Sequence, residues 1–97
     1  MAILKKFLKS KPICKATFSY EGEAENVALV GDFNEWDTQI APLKKDKEGV
    51  FKITLDLPIG AEYEYRFLVD GNYVNDPDAD KYYFNYYAGE DNSVISV

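Results

Sequence analysis

The chain has 97 residues, which suits one domain, and 46% of them are hydrophobic and 15% aromatic. It has no histidine and a single cysteine, Cys14, so the usual catalytic triads, zinc sites and an internal disulfide are excluded. Residues 1–15 carry five lysines and no acid, whereas the remainder carries 6 basic and 17 acidic groups, a net charge of −11. A body this acidic argues against nucleic acid as a partner.

Other missing features narrow the class of protein further. No apolar run reaches the roughly 18 residues that a membrane span needs, and no signal-peptide core is present, so a cytoplasmic protein without a membrane partner is expected. No glycine-rich phosphate-binding loop occurs, so no cofactor is predicted. The acidic run from Asp76 to Asp80 resembles the start of a calcium loop. Lys81 stands where the glycine of such a loop belongs, which indicates a solvated turn instead.

Residues 1–12 are predicted to form a short amphipathic helix or a tail. Over 2–10, four apolar side chains recur with helical spacing opposite three lysines: Ile3, Leu4, Phe7 and Leu8 against Lys5, Lys6 and Lys9. Pro12 ends the segment. We expect this helix to dock on the rest of the domain, and an anchor on a membrane surface is the alternative.

From residue 13 the apolar period changes to two, which is typical of half-buried strands. Five strands are predicted, separated by turn residues: 14–20, 27–30, 51–57, 62–70 and 93–97. Cys14 falls on an inward position and is interpreted as a small core residue. Short strands without a long helix predict an all-β fold, a two-sheet antiparallel sandwich over residues 13–97.

Asp70 and Gly71 lie between two of these runs and predict a two-residue hairpin loop, because both positions favour positive φ. The register then forms four pairs: Val69 with Asn72, Leu68 with Tyr73, Phe67 with Val74, and Arg66 with Asn75. Four side chains share the solvent face: Arg66, Leu68, Tyr73 and Asn75. A ring beside an arginine and a carboxamide suits a sugar, which stacks its C–H face and bonds through its hydroxyls. Local stabilisation of the hairpin is the alternative.

Three blocks of sequence, 27–36, 51–77 and 92–97, carry a resemblance to a known family. The chain resembles the carbohydrate-binding modules of family 48, found in the glycogen-binding domain of AMP-activated protein kinase beta subunits and at the N-terminus of isoamylases and branching enzymes. The resemblance covers about residues 13–97, and the opening segment is similar to that of small free-standing bacterial members. It implies an immunoglobulin-like, early-set sandwich that binds α-1,4-glucan.

The resemblance also implies site residues. Trp36 matches the first stacking tryptophan of the family, and Tyr73 stands where glycogen-binding kinase subunits have a second one. Arg66 replaces a lysine that bonds sugar hydroxyls, and Asn92 matches an asparagine before the last strand. Ala88 departs from a leucine of the family.

The aromatic run 82–87 allows two interpretations. Tyr86 or Tyr87 could compensate for Ala88, or the run could form core together with a protein-binding patch.

Two main hypotheses follow for function. The first is non-catalytic binding of an α-glucan, glycogen or a starch-like oligosaccharide, with a glycogen-metabolising protein as a further partner. The second is a protein-interaction module that keeps the early-set fold and has lost sugar binding. An enzyme is disfavoured, because a sandwich of this size has little depth for a substrate cleft.

Overall fold

The structure, a computed structural model, describes residues 3–97. Its nine strands and one short 3₁₀ turn follow in chain order: β1 (Leu4–Phe7), β2 (Ile13–Tyr20), β3 (Val27–Gly31), the 3₁₀ turn (Asp32–Asn34), β4 (Lys44–Lys45), β5 (Phe51–Pro58), β6 (Glu62–Val69), β7 (Asn72–Val74), β8 (Lys81–Asn85) and β9 (Glu90–Ser96). One sheet has the order β1-β2-β5-β4 and the other β3-β6-β9-β8, with β7 also paired to β6. All pairs are antiparallel. The predicted sandwich is confirmed.

Alternation along the strands places the core between the two sheets. Phe18 of β2 meets Tyr65 of β6 edge to face, with ring centroids 4.9 Å apart, and both side chains are fully buried. Leu29 and Phe67 pair across β3 and β6 and are buried as well. Cys14 is wholly buried, as its inward position in β2 predicts.

The predicted N-terminal helix is wrong for the described residues. Leu4–Phe7 is a strand that pairs with β2, with Leu4 opposite Thr17 and Phe7 opposite Cys14. An isolated helix of about two turns is marginal, whereas the edge of β2 offers backbone hydrogen bonds to a strand. No helix in the part of the chain that the structure describes is long and apolar enough to cross a bilayer. Met1 and Ala2, with which the predicted helix or tail begins, lie outside the described residues.

The hairpin at Asp70 and Gly71 has the predicted loop. Their φ values are 47° and 87°, and three of the four predicted pairs form, from Val69 with Asn72 to Phe67 with Val74. The fourth pair, Arg66 with Asn75, is not part of the ladder, because β7 ends at Val74. The Asn75 side chain instead donates to the Asp91 carbonyl at 2.6 Å and accepts from Ser93 Oγ at 2.8 Å.

Strand β8 is absent from the sequence prediction, and β9 begins at Glu90 rather than at residue 93. Residues 82–84 are all aromatic, so they show no apolar–polar alternation. β8 is an edge strand whose residues are mostly exposed, and pairing with β9 defines it. Alternation of apolar and polar residues in the sequence therefore does not predict β8.

The turn after β7 is only in part the solvated turn predicted, because Pro77 and Asp80 are exposed whereas Asp76 is buried. Asp76 is 2% exposed, and its Oδ2 accepts the Tyr65 hydroxyl at 2.7 Å while its Oδ1 accepts the Asp78 amide at 2.9 Å. Burial raises the pKa of the Asp76 carboxyl, and the hydrogen bond from Tyr65 opposes this rise. Burial likewise raises the pKa of the Tyr65 hydroxyl. The carboxylate therefore joins the turn to the centre of the core.

We expect Asp76→Ala to destabilise the fold by about 1–3 kcal/mol, because it leaves the buried Tyr65 hydroxyl without its acceptor. Urea unfolding measures the change. Asp91→Ala is the control, since Asp91 is exposed, and it should stay within about 0.5 kcal/mol of the wild type. Equal destabilisation by the two variants would contradict the role given to Asp76.

Candidate functional site

A shallow depression of about 170 Å³ opens on the outer face of the second sheet. Five residues line it: Trp36, Arg66, Tyr73, Asn85 and Ala88. They come from the turn after β3, from the β6–β7 hairpin, and from the end of β8 with the loop that follows. Three separate chain segments therefore meet at one place, and each segment is held by identifiable contacts.

Trp36 is half-buried and is fixed by the turn that precedes it. Its backbone amide donates to the Gly31 carbonyl at 2.9 Å, and its indole Nε1 donates to Asp32 Oδ1 at 3.1 Å. Glu35 and Trp36 both have left-handed φ values, 55° and 58°. A side chain in this region costs on the order of 1–3 kcal/mol, and such strain is typical of functional sites.

The same turn is anchored to β6. The second oxygen of Asp32, Oδ2, accepts the Glu64 amide at 2.9 Å. A Cβ atom at Gly31 would lie 2.5 Å from the Glu64 carbonyl oxygen, so only glycine allows β3 to approach β6 so closely here. The position of Trp36 is therefore set by the β3–β6 pairing.

Arg66 lies at the depression but is only 5% exposed, which corrects the prediction of a solvent-exposed side chain. Its Nε donates to Asn92 Oδ1 at 2.7 Å, one terminal nitrogen to Glu90 Oε2 at 3.1 Å, and the other to the Asp91 carbonyl at 3.0 Å. Three of the five N–H groups of the guanidinium are thus engaged within the chain. β9 runs beside β6 and supplies all three acceptors, which the hairpin register alone did not reveal.

Tyr73 is 53% exposed, as its place opposite Leu68 in the hairpin predicts. Asn85 lines the depression and was not among the predicted site residues. Its Oδ1 accepts the amides of Tyr87 at 2.9 Å and Ala88 at 3.3 Å, which fixes the loop after β8. An asparagine that begins an irregular segment is a common signal for such a turn, and here it could have been noticed.

The other predicted residues lie elsewhere. Asn92 is 4% exposed and does not line the depression, and its amide nitrogen donates to Glu64 Oε1 at 3.3 Å. Tyr86 and Tyr87 are 90% and 101% exposed, on the loop beyond Asn85. The structure therefore brings together Trp36, Arg66 and Tyr73, whereas Asn92 lies beside Arg66 on β9 and the two tyrosines lie outside the depression.

Comparison with known proteins decides the family. Residues 14–97 match the family described as the glycogen recognition site of AMP-activated protein kinase. The chain belongs to this glycogen recognition family. Strand β1 precedes the matched region, and all of the residues that line the depression fall within it.

Similar proteins are of three kinds. Over 57 residues the chain is 46% identical to the mouse 5'-AMP-activated protein kinase subunit beta-2, which covers 59% of this chain and 20% of the mouse protein. Over 62 residues it is 40% identical to the chloroplastic PTST homolog 2 of Arabidopsis thaliana, 64% of this chain and 11% of that protein. Over 56 residues it is 41% identical to the 1,4-alpha-glucan branching enzyme GlgB of Aquifex aeolicus, 55% of this chain and 9% of the enzyme. The glycogen recognition domain thus aligns with only a small part of each relative.

Beside the depression, the outer face of this glycogen recognition domain carries a network centred on Glu62. Its carboxylate accepts the Tyr83 hydroxyl at 2.5 Å and Ser96 Oγ at 3.0 Å, and it pairs with Lys81. The Lys81 bond first, then the Tyr83 and Ser96 bonds, lower the pKa of Glu62 from 4.5 to about 2. The network joins β6, β8 and β9.

A lowered carboxyl pKa stabilises the fold above the unfolded value and loses this effect as pH falls through the folded value. We therefore expect the contribution of Glu62 to be lost as pH falls from 4.5 towards about 2. Thermal unfolding across this range should show a smaller drop in Tm for Glu62→Gln than for the wild type. Glu48→Gln, at an exposed position, is the control and should follow the wild type. A wild-type pH profile in Glu62→Gln would contradict the expectation.

Proposed function

We propose that this chain binds an α-1,4-glucan, glycogen or a starch-like oligosaccharide, at the depression and without catalysing its conversion. The observation that carries the proposal is the meeting of Trp36, Arg66 and Tyr73 in one depression. Membership of the glycogen recognition family supports the same ligand class. Arg66 and Tyr73 share the β6–β7 hairpin, whereas Trp36 lies 30 residues before Arg66 in the chain, so the approach of Trp36 to the hairpin is a property of the fold.

The chemistry of the lining residues suits a sugar. Trp36 and Tyr73 supply rings on which the C–H face of a pyranose stacks. Arg66 has two N–H groups beyond the three it donates within the chain, and the amide nitrogen of Asn85 has no acceptor among residues 3–97. These donors would bond equatorial hydroxyls. Because Glu90 offsets the charge of Arg66, the site requires no charge on its ligand.

The same lining supports the non-catalytic part of the proposal. None of the five residues is an acid, whereas glycoside hydrolysis needs a pair of carboxyl groups across the bond. The depression is also shallow, so water is not excluded from a bound sugar. Binding of one oligosaccharide at such a site should be weak, on the order of micromolar to millimolar.

Tyr86 and Tyr87 belong to the proposal as contacts for a longer chain. They follow Asn85 directly, and Ala88 after them lines the depression. Ala88 has a small side chain, and the two exposed rings would meet sugar units beyond the depression. Their exposure also favours the second candidate, a protein-interaction module, with a glycogen-metabolising protein as the partner in view.

Trp36 is the single tryptophan, so its fluorescence reports on the proposed site. Titration with maltoheptaose or β-cyclodextrin should give a saturable change in emission. Trp36→Ala should lose retention on glycogen, and Tyr73→Trp should bind several-fold more tightly by calorimetry, because the larger ring stacks over more area. Phe7→Ala, an exposed ring on β1, is the control and should bind like the wild type. The proposal fails if the wild type responds to no sugar at millimolar concentration.

Asn92 should act through Arg66 rather than by touching sugar. Asn92→Ala removes the acceptor of Arg66 Nε and should weaken maltoheptaose binding by about tenfold, with a cost of about 1–3 kcal/mol to folding. The NMR signal of the Arg66 Nε–H group separates positioning from general destabilisation. It should be sharp in the wild type and broadened in the folded variant. Unchanged sugar affinity in Asn92→Ala would remove this role.

A further inference from the structure

Within residues 3–97 the two sheets have four outermost strands, besides the three-residue β7 that pairs with β6, and three of the four are protected against pairing with another strand. The β3 edge is covered by the segment after the tryptophan loop: Leu29 donates to the Ala41 carbonyl at 2.9 Å, and Leu43 donates to the Val27 carbonyl at 2.8 Å. β4 is two residues long, both lysine. β1 is four residues long and carries the exposed Lys6. Short length, lysine and covering loops are the usual means of blocking an edge.

The β8 edge is the least protected of the four, because it is longer than β1 and β4, no loop covers it within residues 3–97, and its lysine lies at the end of the strand. It is five residues long, and among the described residues only β9 pairs with it. Its three central residues are Tyr82, Tyr83 and Phe84, which are 42%, 41% and 51% exposed. Its one charge, Lys81, lies at the end of the strand and is paired with Glu62. An edge of this length with three consecutive aromatic residues and its one charge at the end is a template for pairing with another strand.

We propose that β8 pairs antiparallel with β8 of a second copy of this chain, about a two-fold axis at Tyr83. The sequence of β8 is self-complementary in this register. Tyr83 meets Tyr83 of the second copy, Tyr82 meets its Phe84, and Lys81 meets its Asn85. Aromatic cross-strand pairs stabilise such ladders, and no like charges face each other. A two-fold axis makes both halves of the contact identical.

The pairing joins the second sheets of the two copies into one continuous sheet. Lys81, Tyr83 and Asn85 lie on the same face as Arg66, because Tyr83 pairs with Asn92, which bonds Arg66. Both depressions therefore open on the same side. At usual strand dimensions the two Asn85 Cα atoms lie about 14 Å apart, and Lys81 of each copy stands beside Asn85 of the other.

This arrangement deepens the proposed function and rests on it for its consequence. A polymer that occupies one depression presents further sugar units to the second, so the second binding step is intramolecular. We expect retention on glycogen to exceed what one weak site gives, whereas a short oligosaccharide shows only the affinity of the single site. The dimer itself is independent of sugar.

Sedimentation equilibrium of the full chain from about 10 to about 500 µM tests the dimer, since a small interface associates weakly. The wild type should shift from monomer to dimer across this range. Phe84→Lys places a charge in the pairing edge and should remain monomeric. Phe7→Lys makes the same replacement at an exposed site on β1 and should dimerise like the wild type. A wild type that stays monomeric at the highest concentration overturns the proposal.

Crosslinking tests the register. Tyr83→Cys should oxidise to a disulfide-linked dimer, because directly opposed residues lie at a distance that a disulfide spans. Phe7→Cys should crosslink much more slowly, and Cys14 is buried in both variants. Equal rates overturn the register about Tyr83.

Sugar binding is then measured apart from assembly. Phe84→Lys should keep the wild-type affinity for maltoheptaose and lose at least about tenfold in glycogen retention. Equal retention by the wild type and Phe84→Lys overturns the bivalent role. A dimer that binds no sugar refutes the proposed function alone, and a monomer that binds maltoheptaose refutes the inference alone.

Discussion

Strand β6 is paired on both edges, with β3 along one edge and with β9 and then β7 along the other. The turn at Asp70 secures this arrangement, since its carboxylate accepts the amides of Glu25 and Asn26 and so holds the start of β3 beside the hairpin. Alternation along β6 then sends Tyr65 and Phe67 into the core and Arg66 towards the outer face. A slip of one residue would exchange the two faces, so the depression depends on this register.

Hydrogen bonds to neighbouring elements also make the site rigid. The guanidinium of Arg66 donates three hydrogen bonds to β9. The backbone and indole nitrogens of Trp36 both donate to the turn that precedes it. A shallow site binds more tightly when its side chains are already ordered, because little conformational entropy is then lost on binding. The strained turn at Glu35 and Trp36 is consistent with a site that is formed in advance.

Strand β8 takes part in both the depression and the proposed dimer contact. Asn85, at the end of β8, lines the depression. The outer edge of β8 carries three exposed aromatic side chains, whose burial is favourable. A single shallow site binds a sugar weakly, and self-pairing would set two such sites on one sheet face. The aromatic run 82–87, which the sequence leaves open between sugar binding and protein binding, would then take part in both.

The sequence by itself determined the strands whose signals are local. Period-two alternation identified β2, β5 and β6, and the Asp70–Gly71 pair predicted the hairpin register, because turn chemistry and face alternation act within a few residues. It also pointed to Trp36, Arg66 and Tyr73. Only the tertiary structure decided the rest. β1 is a strand because β2 offers an edge, Asp76 is buried where it accepts the Tyr65 hydroxyl, and Asn92 lies beside Arg66 because β9 pairs with β6. These features depend on contacts between residues that are distant in the sequence, so local sequence patterns do not predict them.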